Sequence, residues 1–387
     1  MTFRILSLDG GGTWALLEAM ALADLHPGES GRQVLAHYDL AVACSGGSIV
    51  LGGLMLDRSP AEIASIFADR SKRESIFYKK HAAWRLLSRL PIFPRYVAKQ
   101  KRVGLGELFG IEGEVRLGDL PATANWPQGP AGDPVRVLIM AFDYDRLRGE
   151  YLRSYGIPKT GAEAEPIALV DAIHASSNAP VTFFDAPAVA NGRRYWDGAM
   201  AGYNNPLLAG VVDAIALDVD PKSIVALTIG AGTVRLAPPD LGHRAAHPRL
   251  VAPQAKPGPL HDVGRAAGCI TNDPPDSATY TAHIVLGNHP GMVGRVIRLS
   301  PVVHPVRNGE GEWDYPEGLP KILFDHLATL RLDALRWRDV DVIERLGEAW
   351  IGGSAPNQPI RMGDDLSCQI GHDTYAEAKA AWKRLSA

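Results

Sequence analysis

Cysteine is scarce in this chain of 387 residues. Only Cys44, Cys269 and Cys368 occur, none at a metal-ligand spacing, and three cannot all pair. That excludes a disulfide-built scaffold and a cysteine zinc site, and leaves reduced thiols in a cytoplasm as the expectation. Long apolar runs are missing as well: no stretch of about 18 uninterrupted apolar residues exists, so no spanning helix is expected. Met1-Thr2-Phe3-Arg4-Ile5 enters a strand pattern directly, without a basic segment and apolar run ahead of it, so no signal peptide is expected. Net charge is only −3, which marks no class of partner by itself. Internal repeats and flexible linkers are absent too. With 46% hydrophobic and 21% charged residues the composition is that of a globular protein with a large core.

Strand and helix patterns alternate along the chain. Apolar strand patterns lie at 3–8, 38–43, 135–141, 194–197, 223–229 and 293–299, with helical periodicity at 14–25, 49–55, 61–69, 166–177 and 203–216. Two helices are expected within 319–350 and a last one near 374–385. This rhythm predicts an α/β fold, a mostly parallel sheet covered on both faces. Two regions interrupt it. Residues 71–102 carry ten Lys or Arg against the single acid Glu74, with Phe77, Tyr78, Trp84, Phe93 and Tyr96 interleaved. Residues 237–275 are rich in Pro, Gly and His and read as a long surface loop.

Three short segments carry chemistry. Asp9-Gly10-Gly11-Gly12 follows a strand and precedes a helix, so its backbone N–H groups can gather around an anion. Ser45, in Ala43-Cys44-Ser45-Gly46-Gly47, sits where a strand turns into a helix, which exposes a nucleophile at the carboxyl edge of a sheet. Small neighbours suit that tight turn. Asp197 ends a strand and is followed by Gly198; a partly desolvated carboxylate there can accept a proton. Taken one at a time, each segment also reads as a plain structural turn. Asp9-Gly10-Gly11-Gly12-Thr13 has a sharper rival reading, the first phosphate loop of an actin-fold phosphotransferase, with Asp9 serving a metal and Thr13 a phosphate. That reading gives Ser45 no role. A third reading is a binding module for lipid or nucleotide without catalysis. No histidine occupies a triad position: His174 lies on an apolar helix pattern and reads as structural, and His243, His247 and His261 are too irregularly spaced for a metal.

Together the segments resemble the patatin-like phospholipases, lipid acyl hydrolases with a Ser-Asp dyad. Leu6 to Gly12 is similar to the family's oxyanion loop, Tyr38 to Gly47 to its nucleophile elbow, and Ala172 to Pro180 to the helix and turn before its aspartate. Asp197-Gly198-Ala199 through Asn204-Asn205-Pro206 resembles its catalytic Asp-Gly segment, and Val225 to Thr233 a later strand and turn. The resemblance spans roughly residues 3–233. It departs at Ala43, in place of the first elbow glycine, at Gly46, and at Trp14, where many relatives carry Arg. It implies a three-layer α/β/α fold in one domain, residues 1–387. Ser45 would be the nucleophile, Asp197 its general base, and Gly10, Gly11 and Gly12 the oxyanion donors, with no metal and no cofactor. The implied reaction is phospholipase A-type cleavage of fatty-acyl esters in a phospholipid membrane surface. The implied location is cytoplasmic, peripheral to the inner face of the membrane, without nucleic acid and with a homo-oligomer as one option. Some bacterial relatives are antiviral effectors switched on by cyclic nucleotides, which makes such a nucleotide a candidate activator. The basic stretch at 71–102 reads as a membrane contact, at about 1 kcal/mol for each basic residue near an anionic surface, or equally as a solvated helical face pairing with acids elsewhere; a pocket for a phosphorylated effector is a third reading.

Overall fold

The structure, a computed structural model, describes residues 2–79, 93–110, 115–161, 163–180, 182–239, 244–254, 257–258, 262, 274–288 and 294–387. Eight strands form the main sheet: β1 Phe3–Leu8, β2 Leu40–Cys44, β3 Arg136–Asp143, β4 Arg148–Arg153, β5 Ala188–Ala190, β6 Arg193–Asp197, β7 Ile224–Ile229 and β8 Val296–Leu299. The helices are α1 Leu16–Leu25, α2 Gly31–Leu35, α3 Ser45–Met55, α4 Pro60–Ala68, α5 Arg70–Ile76, α6 Ala98–Phe109, α7 Leu169–Ser176, α8 Leu207–Ala216, α9 Pro274–Val285, α10 Lys321–Leu327, α11 Trp337–Ile351 and α12 Tyr375–Leu385.

The central strands are buried from end to end because both of their faces are covered. Leu6, Leu8, Ala43, Ile139 and Leu227 point into a large core shared with α1, α3, α4, α7, α11 and α12. The alternate residues Ile5, Val42, Leu138 and Ala226 point into a second core under α8 and α9. β1 pairs in parallel with β2 and β7, β2 with β3, and β7 with β8. The antiparallel pairs are β3–β4, β3–β6 and β5–β6. This is the mostly parallel three-layer arrangement that the alternating pattern implies.

The register of β3 places the site. Leu138 pairs with both Val42 of β2 and Arg153 of β4, and Ala141 pairs with both Asp197 of β6 and Glu150 of β4. A strand residue has one neighbour on each edge, so β2 and β6 share the edge of β3 opposite β4. β2 runs along that edge with β3 and ends at Cys44, opposite Met140. β6 comes from the other direction and ends at Asp197, opposite Ala141. Two strand ends from distant parts of the chain therefore meet head to head.

The basic stretch is less solvated than its composition implies. Arg73 is buried and donates to the carbonyls of Phe67 and Ala68, each at 2.5 Å. Arg95 pairs with Asp333 and Arg102 with Asp171, while Lys101 is buried on the inner side of α6. Lys72, Lys79 and Lys99 remain exposed. Residues 80–92, with Lys80, Arg85, Arg89 and Trp84, lie outside the described residues, as does much of 237–275 with His243 and His261. Among the described residues no helix is long and apolar enough to cross a membrane.

Two glycines separate close approach from mere helix weakening. A Cβ on Gly47 would stand 2.5 Å from the Asp9 carbonyl oxygen and 2.7 Å from that of Leu8, so the start of α3 touches β1 directly. Around Gly106 of α6 the space is open. Gly47→Ala is expected to lose about 1–3 kcal/mol in urea unfolding. Gly106→Ala is expected to gain about 0.5–1 kcal/mol from helix propensity.

Candidate active site

Ser45 is the first residue of α3 and adopts φ of +49°, a left-handed conformation that costs a non-glycine residue on the order of 1–3 kcal/mol. The turn is held from both sides: Ser45 N–H donates to Ser176 Oγ at 3.0 Å, and Ser48 Oγ donates to the Ser45 carbonyl at 2.6 Å. The side chain stays half-buried, within reach of solvent. Ser45 Oγ donates to Asp197 Oδ2 at 2.6 Å. The other carboxylate oxygen accepts the Ala199 N–H at 3.0 Å and lies 3.8 Å from Cys44 Sγ. Asp197 N–H in turn donates to the Asn178 carbonyl at 3.1 Å, which fixes the strand end.

Burial pushes the Asp197 carboxyl above the ordinary carboxylate range, against the Ser45 and Ala199 hydrogen bonds and the charge of Lys101, which pull it down. Lys101 is the neighbour that a reading of local motifs misses. Its ammonium lies 4.5 Å over the Phe184 ring, has no hydrogen-bond partner among the described residues, and interacts electrostatically with Asp197. Burial pushes its pKa down to about 7. Helical spacing contained the signal, since Ala98, Lys101, Leu105 and Phe109 form one buried face of α6. His174 is buried on α7, and burial together with Lys101 and Arg102 pushes its pKa well down. The Ser45 hydroxyl bonds Asp197, leaving His174 the structural part that its apolar helix implies.

The glycine loop lies against the serine. A Cβ on Gly10 would stand 3.0 Å from Ser45 Cβ and 2.2 Å from Asn204 Oδ1, so only glycine fits there. Gly10 N–H already donates to the Asn204 carbonyl at 2.7 Å. That pins the loop to the Asn204-Asn205-Pro206 segment and leaves Gly11 and Gly12 as the loop's candidate anion donors. Asp9 anchors the loop at its start. Its carbonyl accepts Gly47 N–H at 3.0 Å, its N–H donates to Ile229 at 3.1 Å, and its carboxylate pairs with Arg298 at 2.6 Å. Arg298 also donates to Thr228 Oγ1 at 2.8 Å. Asp9 and Arg298 are both about 3% exposed, and Thr13 is fully buried. A metal and a phosphate cannot reach these groups, so the phosphotransferase reading loses both of its working side chains.

The connection from α10 to α11 crosses the loop from outside. The Leu332 carbonyl accepts Thr13 N–H at 2.9 Å, and the Arg331 carbonyl accepts Trp14 Nε1–H at 3.2 Å. Asp333 then reaches Arg95 at 2.6 Å and Tyr96 Oη at 2.5 Å. Trp14 thus contributes a partly buried hydrogen bond to this crossing segment.

The patatin-like phospholipase family model matches residues 6–211. Two curated proteins named cGAMP-activated phospholipase are similar to the chain. The one from Pseudomonas aeruginosa is 27% identical over 237 residues, 61% of this chain and 63% of that protein. The one from Escherichia coli is 27% identical over 240 residues, 59% and 61% respectively. The chain thus spans about three fifths of the length of these relatives. The crystal structure of VipD from Legionella pneumophila aligns with 90% of this chain and 67% of that one, at 12% identity and a TM-score of 0.36. The glycine loop, Ser45 and Asp197 all fall inside the matched segment, and the chain belongs to the patatin-like phospholipase family.

Proposed function

We propose that this protein is a phospholipase A-type lipid acyl hydrolase working through Ser45 and Asp197. The observation that carries this reading is the 2.6 Å Ser45 Oγ–Asp197 Oδ2 hydrogen bond at a strained strand-to-helix turn, beside a glycine loop. Ser45 Oγ attacks the acyl carbonyl carbon while Asp197 takes its proton. The N–H groups of Gly11 and Gly12 receive the oxyanion, where losing one donor typically costs about 100- to 1,000-fold in rate. Collapse of the tetrahedral adduct breaks the ester C–O bond, and Asp197 returns the proton to the leaving alkoxide. Water, giving its proton to Asp197, then attacks the acyl carbon; collapse breaks the Ser45 Oγ–C bond, Asp197 returns the proton to Oγ, and the fatty acid leaves. A dyad needs no histidine. The names of the relatives support a cyclic dinucleotide as activator of this cytoplasmic enzyme.

The lipid face follows from what surrounds the loop. Arg331, Leu332, Arg336, Trp337 and Arg338 are exposed on the segment that crosses it, and Trp337 is 64% exposed. Tyr78 and Lys79 are exposed next to Tyr96, which bonds the same segment. An aromatic side chain flanked by arginines suits the boundary of an anionic bilayer.

Fatty-acid release from phospholipid vesicles, with and without a panel of cyclic dinucleotides that includes cGAMP, tests the reading. Ser45→Ala is expected to fall to background and Asp197→Asn to lose about 100- to 10,000-fold, both folded. Full activity in Ser45→Ala would refute the dyad. The pH profile tests the base separately. Asp197 must be ionised to accept a proton, so kcat/KM on a soluble short-chain ester falls as pH drops through its pKa. Burial places that limb above the ordinary aspartate value of 3.8. Lys101→Met removes the cation that favours the carboxylate, so the limb moves to higher pH, while a similar side-chain volume preserves the fold. The lipid face is tested by the double change Trp337→Ala and Arg336→Ala. Turnover of anionic vesicles is expected to fall about tenfold, equivalent to ~1.4 kcal/mol of surface binding, with soluble ester turnover unchanged.

A further inference from the structure

Among the described residues one group of metal-ligating side chains converges on a point: His26, Glu29 and His37, whose ligand atoms lie within 4.8 Å of one another. His26 follows the last turn of α1, Glu29 lies in the turn after it, and His37 comes just beyond α2. Glu29 Oε2 is the centre, 3.4 Å from His26 Nδ1 and 2.8 Å from His37 Nε2. Two imidazole nitrogens and one carboxylate oxygen are a ligand set that zinc accepts, with a fourth position open to water.

We propose that His26, Glu29 and His37 form a zinc-binding site. Tetrahedral zinc with bonds of about 2.0–2.2 Å separates its ligand atoms by about 3.3 Å, close to the two distances already present. The remaining adjustment falls on His37, which is 46% exposed and stacks on His26 with ring centroids 4.7 Å apart. An outer partner is also in place. His26 Nε2 lies 3.2 Å from Tyr38 Oη, so zinc on Nδ1 selects the tautomer in which Nε2–H donates to the tyrosine. Tyr38 is fully buried and stacked on Trp382 of α12 at 5.9 Å, which holds that partner still.

This site is separate from the dyad. The ten residues of α1 put it roughly 15 Å along the helix from the glycine loop. An ion there would tie the end of α1 to the chain that leads into β2, so its role is to brace the fold rather than to react.

The test uses the full chain, stripped with a chelator and titrated with zinc chloride by calorimetry, with melting curves before and after. Wild type is expected to take up one equivalent and to melt at a higher temperature with zinc. Glu29→Gln and His37→Ala change partly exposed side chains; each is expected to bind at least tenfold more weakly and to lose the thermal shift. Cobalt(II) in place of zinc gives an independent reading, a tetrahedral visible absorption band in wild type that is absent from both variants. No uptake by wild type, or equal uptake and equal cobalt spectra in all three proteins, would overturn the proposal.

Discussion

β2 and β6 approach each other along one edge of β3 and stop opposite the adjacent residues Met140 and Ala141. That stop sets the distance between two side chains separated by 152 positions in sequence. Backbone hydrogen bonding fixes it, and neither side chain has to find the other. A slip of one residue in the β3–β6 ladder would turn Asp197 to the opposite face of the sheet, and one in the β2–β3 ladder would turn over the strand end that precedes Ser45. The strained Ser45 conformation depends on this frame, since Ser176 and the β1–α3 contact through Gly47 hold the turn against it.

Charge is distributed by the same logic. Cations of the basic stretch are drawn inward: Arg73 closes carbonyls at the end of α4, and Lys101 interacts with Asp197. One buried carboxylate receives matching treatment. Asp9 faces Arg298 and is strapped through its backbone to β7 and α3, so it organises the loop instead of binding an ion. An uncompensated buried charge costs several kcal/mol, which explains why each cation lies against a carbonyl, a carboxylate or an aromatic face.

Much of this could be read from the chain because its signals are local. The six strand patterns, the elbow at Ser45 and the Asp197-Gly198 turn all rest on residues within a few positions of one another. β4 and β5 escaped that reading. Arg148–Arg153 is a polar outer strand whose place comes from pairing with β3, and Ala188–Ala190 has only three residues to show a period. The commitment of Gly10 N–H to Asn204 was equally hidden, because no spacing rule links position 10 to position 204. His26, Glu29 and His37 follow no known ligand spacing either; two helix ends bring them together.

The segment from Leu330 to Arg336 lies far outside the matched residues 6–211, yet its carbonyls grip Thr13 and Trp14 at the glycine loop. β7, which covers one edge of β1, and β8 lie outside it too, as does Arg298. The half that carries Ser45 and Asp197 is therefore not a detachable module. A chain trimmed to the family segment would expose the β1 edge and release the loop from its outer restraint, so the C-terminal third holds the glycine loop in place from outside.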